Sequence, residues 1–303
     1  MRPNKKDTRL FPRGLHVSEL HLFFLPPILY LIVMVIFPTV FTFGMSFTNW
    51  SPRAENKFVG LQNYINFLNP MTTTGRVFYH DLEISCIYVA VSVTLEFVLG
   101  IGLALLISQK IRLSGLLRTL FILPLMLAPV ASAMSWRFMF DPDYGIINYL
   151  MTTVGLKPLG WLADPNLALA GIVVVEVWQW TPFMFLVLLA GIQSLPTSLY
   201  EAANIDGASS WQIFKSITIP LLKSIIAIAI LLRAIDAFKS FDYFYMMTRG
   251  GPGRATESLT ILTWLFSFVY FEIGRASALS VIFAIILMSL ATVLLRQLYA
   301  EVE

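Results

Sequence analysis

Six separate stretches of this chain are long and apolar enough to cross a lipid bilayer, and nothing else in the sequence limits its fold so sharply. They run approximately from Leu22 to Phe47, Ile84 to Ser108, Leu116 to Phe140, Leu167 to Ile192, Leu221 to Met246 and Ala276 to Leu295. A membrane-crossing helix needs roughly 20 mostly apolar residues, and its backbone groups must be satisfied within the helix itself. Composition agrees: 57% of the 303 residues are hydrophobic, only 13% are charged, and mean hydropathy is +0.74, far from a soluble domain. The expected fold is an all-α integral membrane protein of about six transmembrane helices over residues 22–295, with a basic N-terminal arm at 1–21 and a short tail at 296–303. The first run exceeds the apolar core of a secretory signal and no small-x-small cleavage pattern follows promptly, so it reads as a retained anchor.

Lysine and arginine in short loops orient such a chain. The arm carries Arg2, Lys5, Lys6, Arg9 and Arg13, and the loop after the second run carries Lys110, Arg112 and Arg118. Both therefore read as cytoplasmic, as does the C-terminus after an even number of crossings. Arg53, Lys57, Arg76, Arg249 and Arg254 on the other side dilute the bias. The net charge of +3 resides largely in the arm, which suits acidic lipid and calls for no nucleic acid. Cys86 is the single cysteine, and His16, His21 and His80 are scattered; neither a disulfide nor a metal site is expected.

Several functions are excluded by what is missing. There is no G-x-x-x-x-G-K-[ST] phosphate loop. The Gly-rich stretch Thr248 to Thr256, TRGGPGRAT, lacks the lysine and the following helix and reads as a tight turn. G-x-S-x-G and H-E-x-x-H are also absent, so catalytic residues are not expected and the chain reads as a non-enzyme. Glu96, Glu176, Arg233 and Asp236 lie in or near apolar runs, which keeps an ion-coupled secondary carrier open on residues alone. A membrane scaffold without transport is a third class.

One polar stretch stands out between the fourth and fifth runs: EAANIDGASSWQIFKSITIP, Glu201 to Pro220. A helix beginning near Pro196 is expected to end at Gly207, which accepts the positive φ of a helix terminus. Ser209 then opens a second helix with Gln212 three residues on, a capping-box spacing, and Pro220 marks entry into the fifth run. The small face at Ala202 and Ala203 beside Glu201 suits docking into a groove on another protein.

Glu201, Ala202, Ala203, Gly207, Ile217, Ile219 and Pro220 reproduce, at their spacing, the E-A-A-x3-G-x9-I-x-L-P signature; only Ile219 departs from it. The chain thereby resembles the permease subunits of binding-protein-dependent ABC importers. FVGLQNYINFL (Phe58 to Leu68), WQWTPFMFLVLLAGIQSLP (Trp178 to Pro196) and FDYFYMMTRGGPGRATESL (Phe241 to Leu259) are similar to the maltose and glycerol-phosphate branch of sugar permeases. Arg249 stands where that branch often has glycine. The resemblance implies a type I importer permease fold in a bacterial inner membrane, with a cytoplasmic coupling loop over 194–220. It implies that Glu201, Ala202, Ala203, Asp206 and Gly207 seat in a separate ATPase subunit, where ATP and magnesium are used; no cofactor is expected on this chain. The partners it implies are a second permease subunit in a heterodimer, two ATPase subunits and an extracytoplasmic solute-binding protein.

A sugar needs hydrogen-bonding groups beside flat aromatic surfaces. Glu176, Gln179, Trp180 and Phe183 share one helix face, and Arg233, Asp236, Ala237 and Ser240 repeat the same i, i+3, i+4, i+7 spacing. These eight residues are the expected substrate pathway. On the residues alone, an Arg233–Asp236 pair that merely neutralises itself remains open. Pro182 is expected to break the fourth helix toward a cavity.

Overall fold

The computed structural model describes residues 17–52, 55–108 and 114–299. The arm residues Arg2 to Arg13, together with Arg53, Lys110, Arg112 and the last four residues, lie outside the described residues, as do most of the cations that orient the chain. Every regular element described is helical; the exception is an isolated bridge between Thr48 and Phe58.

Among the described residues, five helices are long and apolar enough to cross a membrane: Phe24–Met45, Thr73–Ser108, Ala168–Ser194, Ser210–Phe238 and Ile273–Val293. They are the first, second, fourth, fifth and sixth spans. The third run is not the continuous helix its hydropathy suggests. It consists of Arg118–Met126 and Pro129–Met139, bent by 99°, a pair that, counted as one crossing, is a broken third span. Two prolines explain the break. Pro124 sits in the tight turn Leu123–Met126, and Pro129 forces the residue before it out of the helical region, so that Ala128 adopts φ −64°, ψ 136°.

Other prolines are absorbed rather than obeyed. Pro182 lies inside the uninterrupted helix Ala168–Ser194 and is buried, so the expected break is not found. Packing holds the helix through the missing donor: the second span lies so close to the fourth that a Cβ on Gly100 would meet Met184 Cβ at 2.9 Å and the Phe185 nitrogen at 3.0 Å. Phe185 and Leu188 are wholly buried beside this seam. Pro38 and Pro220 are each preceded, at the same spacing, by a one-turn π-helix, Ile32–Ile36 and Phe214–Thr218. The wider turn relieves the clash that a proline ring makes with the carbonyl one turn earlier. The fifth span consequently starts at Ser210, well before the apolar run, and passes through Pro220 without a boundary. It stops at Phe238, short of Met246, and Asp242–Met247 forms a separate helix.

The motif FVGLQNYINFL has a structural explanation. Asn63 donates from Nδ2 to the Ser46 and Thr48 carbonyls at 2.9 and 2.8 Å, and the Tyr64 hydroxyl donates to Ser46 Oγ at 2.6 Å. These bonds pin the end of the first span to the helix Gln62–Leu68. The same loop is tied to the sixth span, where the Gly274 N–H donates to the Trp50 carbonyl at 3.2 Å.

Candidate functional site

The second, fourth and fifth spans meet at Arg233, which is 2% exposed. Its Nε and Nη2 grip Glu96 at 2.8 and 3.0 Å, Nη2 also reaches Glu176 at 2.6 Å, and Nη1 reaches Asp236 at 3.2 Å. The guanidinium lies 4.2 Å from the centre of the Trp180 ring. One cation is thus shared by three carboxylates and an aromatic face. In an apolar bundle this is the arrangement that keeps buried charge tolerable, since removing either sign would strand the other. The simple Arg233–Asp236 pair is therefore only the exposed edge of a larger cluster; Asp236 also pairs with Lys239 at 3.4 Å.

A hydrogen-bonded relay leaves this hub. The Trp180 Nε1 donates to the Tyr243 hydroxyl at 3.1 Å, and that hydroxyl donates to Gln179 Oε1 at 2.8 Å. Gln179 Nε2 in turn donates to the Leu127 carbonyl at 2.8 Å. Leu127 lies at the bend of the broken third span, where its carbonyl has lost a regular helical partner. Gln179 is buried and both ends of its amide are engaged, so it fixes the bend.

Above the hub opens a cleft of about 220 Å³, lined by Glu176, Trp180, Asp236, Lys239, Ser240, Asp242 and Tyr243 among others. Of the eight expected pathway residues, four line it: Glu176, Trp180, Asp236 and Ser240. Arg233 lies beneath, Gln179 and Ala237 are buried behind, and Phe183 packs edge-on against Trp180 at 6.4 Å. Glu96, Tyr88, Lys239 and Tyr243 complete the site without having been assigned to it from sequence. A signal for two of them existed: Ser85, Tyr88, Ser92 and Glu96 make a polar stripe at helical spacing on the second span, and all four are buried.

The second region of interest is the stretch after the fourth span. The helix Thr197–Ile205 ends in a Schellman turn: the Gly207 N–H bonds the Asn204 carbonyl at 3.2 Å and the Ala208 N–H bonds the Ala203 carbonyl at 2.9 Å. Gly207 takes the expected positive φ, +75°. Ser209 and Gln212 form the expected capping box at the start of the fifth span. Glu201, Ala202, Asp206 and Gly207 are exposed and Ala203 is half-buried. Ile205 is 86% exposed and Trp211 68%, which adds two large apolar side chains to a face otherwise marked by small and acidic ones. Sequence pattern alone gave no reason to single out Ile205.

Residues 96–301 match the family described as binding-protein-dependent transport system inner membrane component. The chain is 38% identical to the trehalose/maltose transport system permease protein of Thermococcus litoralis over 282 residues, covering 91% of this chain and 92% of that protein. It is 31% identical to the sulfoquinovosyl glycerol transport system permease protein of Agrobacterium fabrum, covering 89% of this chain and 87% of the relative. The fold is shared with a crystal structure of a bacterial ABC transporter involved in the import of the acidic polysaccharide alginate, with a TM-score of 0.80 at 20% identity over 93% of this chain and 95% of that one. With long apolar helices, a broken third span and a capped exposed turn leading straight into the fifth, this chain belongs to the multi-pass inner membrane components of binding-protein-dependent ABC transport systems.

Proposed function

We propose that this chain is a permease subunit through which an ATP-driven importer moves a carbohydrate delivered by an extracytoplasmic binding protein. The observation that carries the reading is the exposed turn from Thr197 to Gln212, which continues without interruption into the span bearing Arg233 and Asp236. A partner that moves Glu201 and Ile205 moves the fifth span, and with it one wall of the cleft. Glu201 and Asp206 supply charge at the rim of the docking face, Ala202 and Ala203 permit close approach, and Gly207 holds the turn. ATP with magnesium is bound by the partner ATPase subunits, and the cycle is alternating access.

Named relatives support the carbohydrate class, and they span both neutral and anionic cargo: trehalose/maltose on one side, sulfoquinovosyl glycerol and alginate on the other. The pathway also takes a second permease chain, in a heterodimer. Both termini and the coupling turn face the cytoplasm.

The test replaces Glu201 by Lys and Gly207 by Val in separate variants. The permease is expected to insert normally while uptake is abolished and the ATPase co-purifies weakly. Normal uptake and normal ATPase recovery would overturn the coupling role. Sidedness is read by moving the single cysteine, with Cys86→Ser combined with Ile205→Cys or Phe58→Cys. A membrane-impermeant thiol reagent applied from outside is expected to label position 58 and spare 205.

A further inference from the structure

We propose that the cleft above Arg233 admits uncharged, hydroxyl-rich carbohydrate and turns away anionic sugars. The inference rests on the carbohydrate reading above and narrows it, because the relatives alone allow either charge class.

Three observations converge on the cleft. First, its cations are already committed. Lys239 is the single cation lining it among the described residues, and its ammonium pairs with Asp236 at 3.4 Å. Arg233 lies below, with Nε, Nη1 and Nη2 all bound to carboxylates and its face covered by Trp180. At Arg233 a carboxylate or sulfonate arriving on a sugar would have to displace a bound carboxylate, and at Lys239 it would have to share the half-exposed ammonium with Asp236, whose like charge stays beside it.

Second, the local charge is negative. Four acids line or underlie the cleft, Glu96, Glu176, Asp236 and Asp242, against two bases, Arg233 and Lys239. The excess is two negative charges with all four acids ionised, and one if Glu96 and Glu176 share a proton. In a medium less polarisable than water, like charges a few ångströms apart repel strongly.

Third, the floor offers an acceptor in want of a donor. Glu176 is 1% exposed and lines the cleft, yet its Oε2 accepts no hydrogen bond among the described residues. The Tyr88 hydroxyl, which lies beside the Glu176 carboxylate, donates to Ser240 Oγ at 3.3 Å. Glu176 Oε2 lies out of solvent's reach just under the cleft; an unpartnered buried carboxylate is costly, so a sugar O–H that reaches it as the spans move satisfies it, whereas an anion there is repelled. The Trp180 and Tyr243 rings supply the flat surface against which a sugar ring stacks.

The experiment uses the intact importer in lipid nanodiscs with the binding protein left out, so that its selectivity does not enter. Saturation-transfer NMR would compare trehalose, maltose and maltotriose with digalacturonate and trigalacturonate. Neutral sugars are expected to bind at least tenfold more tightly, about 1.4 kcal/mol. Asp242→Lys, a half-buried rim position, adds an uncommitted cation and moves the local charge by two, so it is expected to shift the preference at least tenfold toward the uronates. Equal binding of neutral and anionic sugars by the natural chain overturns the inference and leaves the carbohydrate reading intact, as does an unchanged preference in Asp242→Lys. Silence from every sugar in both proteins would remove the cleft as a carbohydrate site and overturn both.

Discussion

The phenol oxygen of Tyr200 lies 3.2 Å from the hydroxyl of Thr218, joining the helix before the Gly207 turn to the π-helical turn near the start of the fifth span. Thr218 is 2% exposed. The Schellman turn and the capping box close the near end of the same element. The two arms of the turn are thereby clasped at both ends, and a push on either arm is carried to the other instead of being absorbed by bending at Gly207.

Tyr200→Phe removes the clasp and leaves the docking face unchanged. A single hydrogen bond of this kind contributes about 1 kcal/mol, which corresponds to roughly a fivefold change in an equilibrium. The expected outcome is solute moved per ATP hydrolysed falling about fivefold, with ATPase recovery and membrane insertion preserved. Thr218→Val should give the same loss, and the double variant no more than either single one. If transport and hydrolysis fall together in proportion, the clasp has no part in coupling.

Arg233 leads to a prediction about stability. Arg233→Met strands Glu96 and Glu176, both essentially inaccessible to solvent. Breaking one side of a buried ion pair costs about 3–5 kcal/mol, enough to abolish a folded permease in detergent. Adding Glu96→Gln and Glu176→Gln to Arg233→Met removes the stranded charges and is expected to restore a monodisperse protein. Asp236→Asn, whose carboxylate is 45% exposed, is expected to cost under about 1 kcal/mol. Thermal unfolding followed by size-exclusion recovery reads all three, and an Arg233→Met protein as stable as the parent would contradict the hub.

Much of this architecture could be read from the chain because the membrane leaves few choices. An apolar run of over 20 residues in lipid has to satisfy its backbone within helices, even where prolines break it as in the third run, and the Ser209 to Gln212 and Gly207 signals are local, needing no partner elsewhere. What could not be read depends on which spans become neighbours. Glu96 stands 137 positions before the Arg233 it binds, and nothing near Glu96 announces that distance. Prolines were the ambiguous signs. Pro129 breaks its helix, Pro182 does not, and Pro220 is absorbed by a π-turn; what separates them is the packing around each. The Leu123–Pro129 stretch, LPLMLAP, carried two prolines and could have been read as a bend from the rule on residues that precede proline.

The bend itself is open to a direct check. Gln179→Ala leaves the Leu127 carbonyl without its donor and the Tyr243 hydroxyl without its acceptor, at an expected cost of about 1–3 kcal/mol. Amide exchange over residues 123–128 should quicken in that variant, because the bend loses its tie to the fourth span. Tyr243→Phe should quicken it less, since the Gln179–Leu127 bond survives. An unchanged exchange rate in Gln179→Ala would mean the prolines alone hold the bend.

Arg249 adopts φ +53°, followed by Gly250 at +88° and Gly253 at +66°. The backbone at Arg249 suits glycine, since a left-handed conformation costs a side-chain-bearing residue roughly 1–2 kcal/mol. Arg249 ends the helix Asp242–Met247, donating its N–H to the Phe244 carbonyl at 2.8 Å, and its guanidinium stands 5.8 Å from the Tyr245 ring centre. Arg249→Gly relieves the strain but raises the entropy of the unfolded chain by the equivalent of about 0.5–1 kcal/mol, so a net gain of about 0–1.5 kcal/mol over Arg249→Ala is expected. Arg249→Ala is the control, because it loses the same guanidinium contact and keeps the strained φ. Thermal unfolding should therefore rank Gly above Ala by a few degrees. Should the two variants melt together, the left-handed turn carries no strain, and the arginine needs no compensating role to explain its presence there.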